Sequence, residues 1–128
     1  MTDSHTKKPM LLVLGDGVIS DDRLTQSCRL THMSCDMFFD LTRAEFDKQD
    51  IQLVVSALFS TQTDCIEIGQ HLSTIGFHGT YLICTDTLPN PKVIKRELHQ
   101  LYPDLHCLIM TPDDLIDFLN SARPAAAQ

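Results

Sequence analysis

The chain has 128 residues, 43% of them hydrophobic, and a formal charge of −7 at pH 7. That length gives one domain a real core and leaves too little chain for two. The acidic balance argues against non-specific binding to nucleic acid or to an anionic membrane, because a basic surface supplies most of that affinity. The apolar run at residues 10–14 is too short for a signal sequence or a membrane span.

Residues 1–8 are polar and are expected to form a disordered lead-in. MLLVL at 10–14 is a continuous apolar run, the pattern of a strand buried on both faces. Gly15, Asp16 and Gly17 turn the chain. Asp21 and Asp22 suit a helix N-terminus, and Leu24, Cys28 and Thr31 keep one face of a helix to about His32. The apolar run at 35–39 predicts a second strand. Thr42 caps a short helix over 43–48. Residues 51–59 predict the third strand, and a polar turn leads to a helix over 64–75, with Asp64 as N-cap and Ile68, Leu72 and Ile75 on one face. Gly76 and Gly79 break that helix.

Residues 81–84 predict the fourth strand. Pro91 stands in the first turn of a fourth helix whose apolar stripe is Val93, Ile94, Leu98 and Leu101, and Pro103 ends it. Residues 105–110 predict the fifth strand. Thr111, Pro112, Asp113 and Asp114 give an N-cap, a proline and an acidic first turn to a fifth helix carrying Leu115, Phe118 and Leu119. Residues 122–128 read as a flexible tail, which leaves 9–121 as the domain.

Non-alternating apolar strands separated by helices mean a mostly parallel sheet covered on both faces. Right-handed crossovers then give a doubly wound α/β sandwich of three layers, with five strands in the flavodoxin-like order 2-1-3-4-5. Ligands of such sheets bind at the C-terminal ends of the strands. Here those ends carry Gly15, Asp16, Ser56, Ala57, Leu58 and Thr85, and no nucleophile stands beside a base. No enzyme, metal or cofactor is therefore expected.

The spacing of the five strand–helix units resembles the receiver domain of bacterial response regulators over residues 9–120. Residues 52–68 (QLVVSALFSTQTDCIEI) align without a gap to the receiver pattern of strand three, phosphoacceptor, loop and then D-G-L-E-L, which here reads Asp64, Cys65, Ile66, Glu67, Ile68. The resemblance implies a defined chemistry. Acidic residues after strand one and an acceptor Asp after strand three hold Mg²⁺. The acceptor carboxylate attacks a phosphodonor. A Thr or Ser after strand four and a Lys after strand five then bind the phosphoryl group. In this chain the acidic pair becomes Gly15 and Asp16, and the acceptor position falls on Ala57. Thr85 stands where the Thr or Ser belongs, the Lys position falls on Met110 or Thr111, and the strand-five aromatic falls on Leu108 or Ile109. The chain thus resembles a degenerate receiver that cannot be phosphorylated by the usual route. Its partners, by the same resemblance, would be a protein or a second copy, held on the face of helix four, strand five and helix five. Lys92, Lys95, Arg96, His99 and Asp117 would lie there, in the cytoplasm of a bacterium.

Other patterns carry less. Gly15-Asp16-Gly17 lacks the third glycine of a dinucleotide loop, since position 20 is Ser20. Cys28, His32 and Cys35 have a metal-like spacing but no evident fourth ligand. The five cysteines are odd in number, widely spaced and mostly within apolar segments, which reads as reduced, buried thiols. A second reading is a small-molecule or nucleotide site in the crevice of small polar residues at the strand ends.

Overall fold

A computed structural model describes residues 8–15, 21–25, 28–57, 65–85 and 91–125. Five strands form one sheet in the order β2-β1-β3-β4-β5, and every neighbouring pair is parallel. They are β1 (Met10–Leu14), β2 (Arg29–Met33), β3 (Ile51–Ala57), β4 (Thr80–Cys84) and β5 (His106–Met110). Among the described residues the helices are α1 (Asp21–Leu24), α2 (Cys35–Asp40), α3 (Arg43–Lys48), α4 (Cys65–Thr74), α5 (Pro91–Leu101) and α6 (Pro112–Ala125). This is the flavodoxin-like α/β fold that the strand pattern implies. No helix among the described residues is long and apolar enough to cross a membrane.

The sheet divides the core in two because successive side chains of a strand point to opposite faces. Leu12, Leu14, Val54, Tyr81 and Ile83 meet residues of α2 to α5, including Phe38, Phe46, Leu72 and Leu98. Leu11, Val13, Val55 and Leu82 meet Leu24 of α1 and Leu115 and Leu119 of α6. The three inner strands supply both clusters, so neither face of β1, β3 or β4 tolerates the polar alternation of a half-exposed strand.

The second strand is not at 35–39. It is β2, which overlaps the end of the span predicted as the first helix; that helix ends instead at Leu24. Position in the sheet explains the difference. As an edge strand, β2 pairs with β1 alone and can carry the polar sequence RLTHM, with His32 exposed and Met33 buried. Residues 35–39 bury Cys35 and Phe38, three apart on one helical face, while Met37 is 61% exposed. Ser34 starts that helix, its hydroxyl accepting the Met37 N–H at 3.2 Å. Thr42 caps α3 as its sequence implies. Its hydroxyl accepts the Glu45 N–H, while the Glu45 carboxylate accepts from the Thr42 N–H and the Thr42 hydroxyl, and these last two bonds hold the Glu45 carboxyl below its usual pKa.

Boundaries shift elsewhere. β3 ends at Ala57, and the predicted strand positions 58 and 59 and the cap Asp64 lie outside the described residues. α6 continues through Ala125, into the span expected as a tail, and residues 126–128 lie outside the described part, as do residues 1–7. Gly76 takes φ +75°, the left-handed conformation that closes α4, with the Phe77 N–H on the Leu72 carbonyl. Gly79 is required for another reason: a Cβ there would overlap the Gln52 carbonyl oxygen of β3.

Two substitutions check these points in urea unfolding. Ser34→Ala is expected to lower stability by about 1 kcal/mol through the lost cap. Gly79→Ala is expected to lower it by about 1–3 kcal/mol, because β3 and the start of β4 must separate to admit the methyl group. Unchanged m-values would show that the native fold persists in both.

Candidate functional site

The C-terminal ends of β1, β3, β4 and β5 lie side by side, so the fold gathers most of the residues singled out there. Gly15 follows β1 with φ +79°, and its N–H donates to the Met33 carbonyl of β2. Asp16 lies outside the described residues, as do the crevice positions 58–60 and 86–87. Ala57 ends β3, half-buried and in register with Cys84. Thr85 donates its N–H to the Met110 carbonyl at 3.0 Å, extending the β4–β5 ladder by one bond. Met110 is half-buried against the cluster of α1 and α6. Thr111 is the N-cap of α6: its hydroxyl accepts the Asp114 N–H and its carbonyl accepts the Leu115 N–H.

Ser56 does not belong to this rim. It is 2% exposed and sits in the core, where its Oγ lies 2.6 Å from the Tyr81 hydroxyl. Ser56 donates its proton to the Ala57 carbonyl at 3.1 Å, which leaves the Tyr81 hydroxyl as donor to Ser56. The strand period explains the correction: β3 turns Val54 and the second residue beyond it, Ser56, toward one face. Burial raises the Tyr81 pKa well above its usual value, opposed by the bond to Ser56.

The described part of the rim offers little covalent chemistry. A methyl group at Ala57 neither attacks a phosphodonor nor ligates a cation. The Thr111 hydroxyl is engaged in its helix cap. Among the described residues no three His, Cys, Asp or Glu side chains converge in a way that would hold a metal. Cys28 is buried before β2, His32 is exposed on β2, and Cys35 is buried at the start of α2, so the helical spacing that would have joined the first two is absent. None of the five cysteines forms a disulfide, and all five are buried. Burial pushes the Cys107 thiol up to about 12, with Cys65 adding to the rise and Lys95 opposing it. Burial likewise raises Cys35, helped by Asp36 and Glu67. Such thiols stay protonated at neutral pH and are poor nucleophiles.

The fourth helix of the sequence is α5. Lys95, Arg96 and His99 are exposed on it, as is Asp117 on α6; the side chain of Lys92 lies outside the described part. The apolar stripe of α5 differs from expectation. Ile94, Leu98 and Tyr102, each four residues apart, turn inward. Val93 and Leu101 are 51% and 52% exposed, so two residues assigned to the core add apolar surface beside the basic side chains. Their exposure follows from the angular position of each residue around α5, which the count of apolar residues did not resolve. At the opposite, N-terminal end of the sheet lies an open pocket of about 340 Å³, lined by Phe46, Asp47, Asp50, Phe77 and His78 among others. No motif in the sequence marks it.

Ser56→Ala is expected to cost about 1–3 kcal/mol, since it strands the buried Tyr81 hydroxyl. Adding Tyr81→Phe should recover part of that loss, and denaturant melts of the two single variants and the double variant measure the coupling. The thiol shift sets a pH dependence. Cys107 ionises near 9 when unfolded and near 12 when folded, so its contribution is complete below pH 9. Stability should therefore fall as pH rises from 9 toward 12, and Cys107→Ser should flatten that slope in pH-resolved unfolding.

No protein-family model matches the chain, and neither does any curated protein.

Proposed function

We propose that this chain is a receiver-like regulatory module of a bacterial cytoplasm that acts by contact with a protein partner and without phosphorylation. The observation that carries the reading is Ala57. It ends the central strand of a flavodoxin-like sheet, where a receiver would present its acceptor carboxylate. Without that carboxylate there is no nucleophile toward a phosphodonor and one Mg²⁺ ligand fewer. Thr85 keeps the phosphoryl-binding residue type, but Met110 and Thr111 supply no ammonium group.

Output then depends on occupancy of a surface. The face of α5, β5 and α6 supports this role through the exposed Lys95, Arg96, His99 and Asp117, joined by Val93 and Leu101. Basic groups on an acidic protein concentrate attraction for an acidic partner and raise its association rate. Exposed apolar side chains beside them supply area to bury.

Incubation with acetyl phosphate and Mg²⁺ should leave the intact mass unchanged. Stoichiometric gain of a phosphoryl group, lost in Thr85→Ala, would overturn the proposal. A partner purified with the protein from its native cell should appear at fixed stoichiometry by native mass spectrometry. Its affinity should fall about tenfold or more in Lys95→Glu/Arg96→Glu.

A further inference from the structure

The two edges of the sheet differ. β2 carries Arg29, Thr31 and the exposed His32, and the Arg29 side chain reaches back to the Lys8 carbonyl. β5 reads HCLIM, with no proline, charged residue or bulge in the strand. Edge strands ordinarily carry such features because unpaired N–H and C=O groups invite another strand. Leu108, Ile109 and Met110 are all half-buried, so this edge presents apolar side chains on both faces together with backbone groups that β4 does not engage.

The helices beside β5 differ in charge. Ile109 and Cys107 belong to the cluster covered by α5, whose exposed residues include Lys95, Arg96 and His99. Ile94 and Leu98 of α5 pack in the same cluster as Cys107 and Ile109, so the helix that carries the exposed Lys95 lies against this face of the strand. Leu108 and Met110 belong to the other cluster, covered by α6. An added strand alternates its side chains between these two faces. Acidic side chains complement the α5 face, and apolar ones extend the layer of Leu108 and Met110.

We propose that the open edge of β5 receives a sixth strand from a protein partner, an extended segment with acidic side chains toward α5 and apolar side chains toward α6. This rests on the reading of the α5–β5–α6 face as the partner surface, and it specifies how the partner sits. Backbone hydrogen bonds supply the affinity, and the alternating side chains supply the selectivity. A second copy is a poorer occupant. Antiparallel pairing of two β5 strands about a two-fold axis normal to the sheet sets α5 beside its counterpart, opposing Lys95 and Arg96 to themselves.

The test uses the whole protein and a short peptide alternating glutamate and valine. Amide hydrogen exchange by NMR reads the β5 amides that do not bond to β4. At ten times its Kd the peptide should slow their exchange about tenfold. A peptide N-methylated at alternate residues along its pairing edge, and one with lysine in place of glutamate, should leave exchange unchanged. Lys95→Glu/Arg96→Glu should reverse the preference between glutamate and lysine peptides. Equal binding by the N-methylated peptide, or no protection of β5, overturns the sixth strand. Where charge reversal still abolishes binding of the natural partner, the partner surface stands and only the strand mode falls. Where charge reversal leaves that partner bound, the surface reading falls as well.

Discussion

Burial of the inner strands on both faces is the constraint on which the rest depends. A parallel sheet needs a crossover between neighbouring strands, and the helices of those crossovers cover both of its faces. Beyond the exposed Gln52 near the start of β3, the inner strands β1, β3 and β4 therefore have no solvent side on which to place a charge. Among the described residues, Ser56 is the one buried polar side chain, and its bond to Tyr81 satisfies both hydroxyls. The same constraint pushes everything chemically active to the ends of the strands and the outer faces of the helices. That is why a single residue at a strand end, such as Ala57, weighs so much in what the fold can do.

The inner strands were legible in the sequence for the same reason. MLLVL and QLVVSA carry their burial in composition, and their order follows from the handedness of crossovers. The edges were not legible. β2 is paired on one side only, so RLTHM never shows the apolar run that marks an inner strand. CDMFF imitates that run, although two of its side chains suffice to anchor a helix. Both errors come from one physical source: composition reports burial, and burial identifies a strand only when the strand lies inside the sheet. The order 2-1-3-4-5 survived because the misplaced strand stayed between the same two inner strands along the chain.

The site was legible to the extent that residue position along a strand fixes which end of the sheet it reaches. Gly15, Ala57, Thr85, Met110 and Thr111 all fall at the expected end. Ser56 was misplaced because orientation depends on strand parity and on what the facing strand offers, here the Tyr81 hydroxyl. Val93 and Leu101 were misplaced because an apolar residue on a helix enters the core only at the correct angle. Proximity in sequence reports neither property.

Thr111 shows how a residue at a strand end can serve the fold: its hydroxyl accepts the Asp114 N–H at the start of α6. A lysine there could not accept a backbone N–H, so it could not cap α6 as the threonine hydroxyl does. Placing an ammonium group at the end of β5 by Thr111→Lys would thus do more than add a charge. It would also remove a helix cap worth about 1 kcal/mol. The end of β5 is in this sense committed: a residue that starts a helix cannot be exchanged for a charged one without a cost in stability.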